Sequence, residues 1–277
     1  MNIKKKLVSI LVNNYNNEKY IKNCINSCLD QTYKNIEVII YDDNSSDRSI
    51  SIIDKFKDKR IKKIFNKKKY SKSSSRNQFN SLYHSIKKTK GELIFLLDGD
   101  DFFDKKKIEF IVKVFNKNSN IKFIQDQPIY FYPSTNKKVK KKLKEKKIVI
   151  HTWPYFNATS TMSFKKNFLQ KVLKEIEFSK KSYDNLWFDA RSIIYTYFFE
   201  KKNVHLILKN YFTFYTQNPK GFALNFLNDR FSSQWWNWRQ QHHHFTSKLF
   251  SRKNKFHIKL FDYYITSLFN FFSKILT

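Results

Sequence analysis

Glycine is nearly missing from this 277-residue chain, which has only Gly91, Gly99 and Gly221. Neither a GxGxxG dinucleotide fingerprint nor a Walker A loop can be written with three scattered glycines, so the common backbone cradles for phosphate are excluded. A phosphate site here has to rest on a metal ion and cationic side chains. Cysteine is scarcer still. Cys24 and Cys28 are too few for a structural zinc site without further ligands. Lying four apart among Ile21, Ile25 and Leu29, they read as reduced thiols on the buried face of a helix. Long apolar runs are absent as well, and no stretch approaches the roughly 18 apolar residues that span a bilayer. After the charged Met1 to Lys6, the run Leu7 to Val12 is too short for the core of a signal peptide. The expected location is cytoplasmic, with peripheral attachment to the inner membrane face left open.

Acidic residues are outnumbered, 23 against 54 basic ones, for a formal charge of +31. Only seven of the basic residues are Arg, and the rest are Lys spread over many segments. Proteins that read nucleic-acid sequence lean on Arg for bidentate base contacts. Scattered Lys instead describes a solvated surface that tolerates anionic lipid or anionic substrates, and no nucleic-acid partner is expected. A basic nucleic-acid-binding module remains the reading that charge alone would support. Aromatic residues make up 18% of the chain, ample for a packed core.

The first half alternates between two periodicities. Leu7–Val12, Ile36–Tyr41 and Leu93–Leu97 are short, mainly apolar strands, and Ile61–Phe65 is a further short strand. Between and after them, apolar residues recur at helical spacing: Tyr20 to Leu29, Ile50 to Phe56 with Ser46 or Asp47 as cap, Phe79 to Ile86, and Ile108 to Phe115. This order predicts an α/β fold with a mainly parallel sheet flanked by helices. Ligands of such sheets lie beyond the carboxyl ends of the strands, where the polar segments after Val12, Tyr41 and Leu97 all fall. In the second half, Lys137 to Lys147 reads as an exposed basic loop. Ile148–Trp153 and Thr159–Phe164 read as strands, and Phe168–Phe178 and Asp184–Phe199 as helices. Val204–Leu208 and Tyr211–Tyr215 suggest a strand pair around Lys209–Asn210. From Asn228 the chain is aromatic and basic and reads as helices packing on the domain or lying on a membrane. His242, His243 and His244, being consecutive on a helix, cannot converge on one metal ion. They indicate a solvated or membrane-facing helix. Trp235-Trp236-Asn237-Trp238-Arg239 is core packing, a sugar-stacking platform or an interfacial anchor. The organisation expected is a domain over residues 1–227, divided at 105/106, and a helical extension over 228–277.

The segment Glu92-Leu-Ile-Phe-Leu-Leu-Asp-Gly-Asp-Asp-Phe-Phe103 carries the most chemistry. A buried strand ends in Asp98, Asp100 and Asp101, whose mutual repulsion is costly unless a cation or another partner neutralises it. Carboxylates around one glycine suit a hard divalent cation, Mn²⁺ or Mg²⁺. The plainer alternative is an acidic turn in which Asp101 or Asp104 caps the next helix.

Four segments, Val8-Ser-Ile-Leu-Val-Asn-Asn-Tyr-Asn16, Asp30-Gln-Thr-Tyr-Lys-Asn-Ile-Glu37, Asp42-Asp-Asn-Ser-Ser-Asp47 and Asp98-Gly-Asp-Asp101, together resemble the successive signatures of family 2 glycosyltransferases with the GT-A (Rossmann-like) fold. The resemblance covers roughly residues 6 to 105. It implies an inverting enzyme that moves a sugar from a nucleotide diphosphate, a UDP-sugar first among donors, to an acceptor hydroxyl of a glycan or lipid-linked glycan. The setting it implies is surface polysaccharide assembly. A catalytically inactive nucleotide-sugar-binding protein is the alternative within the same fold. The resemblance gives Asp43 the base N–H, Tyr15 the base face, and Arg76 the base or diphosphate. Asp98 goes to the ribose or metal, Asp100 to the metal, and Asp101 to either duty. Family members commonly carry Pro-Thr or Pro-Ser where this chain has Asn13-Asn14, and an amide at Asn13 can still hydrogen-bond a base. Asn44 replaces the glycine of the second signature, a mild change because Asn tolerates left-handed turn conformations. The general base comes from the second half, Asp189 or, as an alternative, Asp184. The competing roles for either are helix capping or a pair with Arg191.

Overall fold

The computed structural model describes residues 6–140, 157–177, 183–217, 233–255 and 261–275. The first strands form where apolar residues predominate, with Ser9 and Glu37 as buried polar interruptions joined by a hydrogen bond. β1 (Val8–Asn14), β2 (Ile36–Asp42) and β4 (Leu93–Asp98) are buried nearly throughout, because helices cover both faces of the sheet they form. Ile10, Val12, Ile40 and Phe95 point to one face, under α1 (Ile21–Leu29) and α4 (Lys107–Lys117). Leu11, Ile39 and Leu96 point to the other, under α3 (Ser74–Lys87), α5 (Lys166–Ile176) and α6 (Phe188–Phe199). Cys24 and Cys28 are free, buried thiols in the first of these cores.

β3 (Ile61–Phe65) follows α2 (Ser49–Lys55), and the remaining strands are β5 (Phe102–Phe103), β6 (Phe123–Tyr132), β7 (Lys137–Lys140), β8 (Met162–Lys165) and β9 (His205–Thr216). They join one nine-stranded sheet in the order β3-β2-β1-β4-β8-β6-β9-β5, with β7 also on β6. β3, β2, β1 and β4 run parallel, whereas β8 is antiparallel to both β4 and β6. The chain moves outward from β1 to β3, then crosses back to place β4 on the other side of β1. The strand order therefore reverses between β1 and β4, and there Asn13 is in register with Asp98. A reversal of this kind opens a crevice at the carboxyl ends of the two strands.

Several expectations from the sequence are corrected. Val204–Leu208 and Tyr211–Tyr215 are not a hairpin but one strand, β9, parallel to β6. The pairing passes from Gln125 opposite Ile207 to Gln127 opposite Tyr211, so Lys209–Asn210 lies in a bulge rather than a turn. Gln127 Nε2 donates to the Leu208 carbonyl at 2.7 Å and holds the bulge in place. Lys137–Lys140, expected as loop, is the exposed strand β7. Thr159–Thr161 is a 3₁₀ turn leading into β8, and α6 starts at Phe188 rather than Asp184. The first turn of α2 has no side-chain cap at its N-cap, Arg48, although Asp47 Oδ1 accepts the Ser49 N–H at 2.9 Å. Ile148–Trp153 and Lys141–Lys147 lie outside the described residues.

α7 (Ser233–Arg252) and α8 (Phe261–Ile275) form a helix pair beyond the sheet. Phe245 and Leu249 of α7 enter the core beside α6. His242 and His243 are fully buried, which overturns the solvated or membrane-facing reading for these two, whereas His244 is exposed. Trp236 stacks on Phe269 with ring centroids 4.7 Å apart, and Arg239 lies 4.8 Å over the Trp235 ring. Of the tryptophan cluster, Trp236 thus packs between the two helices.

Candidate active site

Three loops meet at the crevice, each pinned by side chains that the sequence places beside it. Asp42, at the end of β2, is buried and accepts from Asn14 Nδ2 (2.6 Å), Ser45 N (2.8 Å) and Ser45 Oγ (2.7 Å). Asn16 N in turn donates to Ser45 Oγ at 2.9 Å, and Ser46 N to Asn16 Oδ1 at 2.8 Å. Asn16 and Asn44 take φ of 52° and 59°, the left-handed turn conformation that a short amide side chain tolerates. Asp43 is left facing the crevice floor. It is 3% exposed, and Asn66 Nδ2 donates to its Oδ1 at 3.0 Å. Burial raises its carboxyl above the usual carboxylate range, while the Asn66 bond and the Lys69 charge oppose that. Tyr15 is exposed at the rim, and Lys69 Nζ sits 3.5 Å from the centre of its ring.

At the end of β4, Asp98 is half-buried, and its backbone N–H donates to Ser160 Oγ at 3.0 Å. Its carboxyl is pushed up to about 7, first by burial, then by the charges of Asp100 and Asp189; hydrogen bonding from Asn13 and Gln78 works in the other direction. Asp101 turns inward, 1% exposed, where it accepts the Thr216 N–H of β9 at 2.8 Å. Its second oxygen has no hydrogen-bond partner. Asp101 does not cap α4; Asp104 instead accepts the Lys106 N–H at 2.9 Å. Gly99 is required by close approach, because a Cβ there would lie 2.4 Å from Asn14 Oδ1 and 3.2 Å from the Asn13 carbonyl. Among the described residues no three acidic, His or Cys side chains converge on one point as a ready-made metal site. The arrangement nevertheless fits a cation held in part by substrate, since Mg²⁺-type sites use one or two carboxylates and take further oxygens from phosphates. The crowding that lifts the Asp98 carboxyl is what such a cation would relieve.

From the other side come Asp184 and Asp189. Gln78 ties α3 to the head of α6 by accepting the Phe188 N–H at 3.1 Å. Asp189, in the first turn of α6, is close enough to raise Asp98 electrostatically. Burial pushes its own carboxyl up to about 7, against a 2.7 Å hydrogen bond from the Ala190 N–H. The expected rival role as a partner of Arg191 is not seen. That guanidinium is buried and donates to the carbonyls of Leu186 (2.8 Å) and Tyr183 (2.7 Å). Asp184 pairs with Arg76 instead, Nη2 to Oδ1 at 2.6 Å. The hydroxyls of Ser75 and Ser73 donate to its carbonyl at 2.7 and 3.2 Å.

Sequence reasoning missed three groups in this region. Tyr215 on β9 faces the cluster, and its phenol is raised by burial and then by Asp101, Asp100, Asp98 and Asp189. Ser160 braces Asp98. Below it, Lys107 is fully buried, ion-paired to Asp126 at 2.9 Å and donating to the Ser160 carbonyl at 2.7 Å. The alternation of aromatics along Tyr211 to Tyr215 was the signal for the first. Nothing local marks the other two, since a lysine at the start of a helix ordinarily faces solvent.

Comparison with known proteins agrees with this geometry. The family model for "Glycosyl transferase family 2" matches residues 9–177, which hold nearly all of β1 to β8 with Asp43, Asp98, Asp100 and Asp101, and end before Asp184 and Asp189. An Escherichia coli relative, the UDP-Glc:alpha-D-GlcNAc-diphosphoundecaprenol beta-1,3-glucosyltransferase WfaP, is 37% identical over 125 residues, 45% of this chain and 44% of its own. Glycosyltransferase GlyG of Streptococcus pneumoniae is 36% identical over 105 residues, 37% of this chain and 33% of its own. The matches thus span a third to under half of these relatives' length. Among solved structures, Staphylococcus aureus TarS in complex with UDP-GlcNAc superposes with a TM-score of 0.59 at 16% identity, covering 97% of this chain and 71% of TarS. The mannosyltransferase PcManGT of Pyrobaculum calidifontis, in complex with GDP-Man and Mn²⁺, gives 0.57 at 11% identity, covering 99% and 70%. With a family model matching well over half of the chain, and a sheet that reverses at a carboxylate-lined crevice as the fold requires, the chain belongs to glycosyl transferase family 2 and has the GT-A fold.

Proposed function

We propose that this protein is an inverting, metal-dependent glycosyltransferase that moves a sugar from a nucleotide diphosphate, a UDP-sugar in the first instance, to the hydroxyl of a glycan or lipid-linked glycan. The observation that carries the reading is the placing of four carboxylates around the β1/β4 reversal. Asp43 lies on one flank, Asp98 and Asp100 in the middle, and Asp189 on the other. Asp43, buried but ionisable, accepts the base N–H, and Asn66 beside it fixes the carboxylate plane. Tyr15 offers the base its ring once Lys69 moves aside, which frees that cation for the diphosphate. Asn13 lines the same wall, and Arg76 stands between the donor and Asp184. Asp98 and Asp100 would hold the divalent cation, Mn²⁺ or Mg²⁺, with Asp101 behind them fastening β9. When bound, that cation offsets the charge growing on the departing diphosphate.

Asp189 then takes the proton from the acceptor oxygen as that oxygen approaches the anomeric carbon from the face opposite the diphosphate. A carboxylate whose pKa is about 7 is a competent base near neutral pH. Supporting the donor class, the structural neighbours were solved with UDP-GlcNAc, UDP and GDP-Man, and one with Mn²⁺. Supporting the acceptor class, WfaP acts on a diphosphoundecaprenol-linked sugar. The test is transfer from a labelled UDP-sugar, with the anomeric configuration of the product read by NMR. Asp189→Asn is expected to lower kcat by about 10²–10⁴ with donor affinity unchanged. If Asp184→Asn shows that loss and Asp189→Asn does not, the base is Asp184. If the anomeric configuration is retained, the inverting mechanism is wrong.

A further inference from the structure

Beside the acid cluster lies a cleft of about 340 Å³ lined by Lys72, Ser73, Ser74, Asp184, Asn185 and Trp187. We infer that this cleft is the acceptor subsite and that it takes the terminal pyranose ring of a glycan, with Trp187 as its platform; the inference rests on the glycosyltransferase reading above. Size comes first. Ligand pockets run from about 300 to 1,000 Å³, so this one suits a single sugar-sized group rather than a whole nucleotide sugar. Its lining comes second. One aromatic wall together with a carboxylate, an amide and hydroxyls matches a pyranose, which is apolar on its C–H face and hydroxylated around its edge. Lys72 and Asp184 bring opposite charges, so the cleft does not select for a strongly charged ligand.

Its rigidity and position come third. The Asp184 carbonyl is held by Ser73 and Ser75, its carboxylate by Arg76, and the Asn185 N–H by Gln241 Oε1 at 3.1 Å. The walls are therefore preorganised before any ligand enters. Trp187 also stands two residues before Asp189. Trp187 is the N-cap of α6 and Asp189 lies in its first turn, so the platform and the proposed base both sit at the head of one helix.

The experiment measures binding of p-nitrophenyl glycosides of glucose, galactose and N-acetylglucosamine by saturation-transfer NMR, with UDP and Mn²⁺ present. Affinity for UDP is measured separately. The wild-type protein should bind at least one glycoside, and Trp187→Ala should weaken that binding about tenfold or more while UDP affinity stays within about twofold. Asn185→Ala should weaken the same glycoside. It removes only the side chain, leaves the backbone bond to Gln241 in place, and so controls for loss of folding. The subsite is overturned if no glycoside binds wild type, if both variants bind it unchanged, or if Trp187→Ala weakens UDP-sugar relative to UDP, which would give the cleft to the donor's sugar. Failure of the wild-type protein to bind UDP or any other nucleotide would instead strike the glycosyltransferase reading itself.

Discussion

Asp43 and Asp189 are acids kept mostly out of water by the same fold and assigned opposite tasks. Asp43 has a hydrogen-bond donor in Asn66 and a positive charge in Lys69, both of which favour its ionised form. Asp189 has only a backbone N–H, so burial leaves it poised to take a proton. Replacing Asp43 by Asn keeps the volume and a hydrogen-bond acceptor for Asn66, but it presents an amide N–H where the base N–H must donate. Nucleotide affinity is expected to fall by about 10–100-fold with little change in thermal stability, the range set by leaving a buried donor without its acceptor. Unchanged affinity by titration calorimetry would remove Asp43 from the base site. Most of these residues could be read from the sequence because they are local. The left-handed turn at Asn44 follows from one amide in one motif. Ser160 and the Lys107–Asp126 pair could not be read, because their role depends on strands distant in the sequence meeting beneath Asp98.

The same division holds at the level of elements. Apart from the two-residue β5, the strands and helices up to α4 announce themselves by periodicity, since β1, β2 and β4 are mostly apolar and each helix has one apolar face. β6 does not. Gln125-Asp126-Gln127-Pro128 interrupts it with polar groups and a residue lacking an N–H, a pattern that argues against an interior strand. Several of those polar groups find partners far along the chain: Asp126 in Lys107 and Thr213, the Gln125 amide N–H in the Asn157 carbonyl, and the Gln127 amide N–H in the β9 bulge. The histidine run of α7 misleads in the opposite way, because it looks solvated and yet His242 and His243 are buried. The His242 pKa is lowered to about 3, chiefly by burial. Between about pH 3 and 6.5 the unfolded chain therefore binds a proton at this site that the folded chain refuses. The stability contributed by neutral His242 is complete above about pH 6.5 and is lost as pH falls. At pH 5 the loss is on the order of 2 kcal/mol. His242→Asn should remove that share of the acid sensitivity when unfolding is compared by denaturant at pH 7.5 and pH 5. Equal pH dependence in the variant would show that His242 is protonated without penalty.

At the scale of the whole molecule, a charge of +31 and the outer face of α8 point the same way. Tyr264, Leu268, Phe269, Phe271 and Phe272 are 49–62% exposed on one short helix. Among the described residues no helix is long and apolar enough to cross a membrane. We propose that this aromatic stripe on a basic protein meets the surface of an anionic bilayer, with rings at the interface and Lys at lipid phosphate. Replacing Leu268 and Phe271 by Glu should reduce sedimentation with phosphatidylglycerol-containing vesicles by about tenfold, with no binding to neutral vesicles in either form. Undiminished sedimentation would assign the attraction to charge alone.

The central claim, that Asp98 and Asp100 make a nucleotide site that depends on a cation, is met most directly by titration calorimetry of UDP and GDP with and without Mn²⁺ on the wild-type protein and on Asp100→Ala. The account predicts that one nucleotide binds, that Mn²⁺ strengthens its binding by about tenfold or more, and that Asp100→Ala abolishes this gain. Nucleotide binding that is indifferent to Mn²⁺, or a gain that survives in Asp100→Ala, would contradict it.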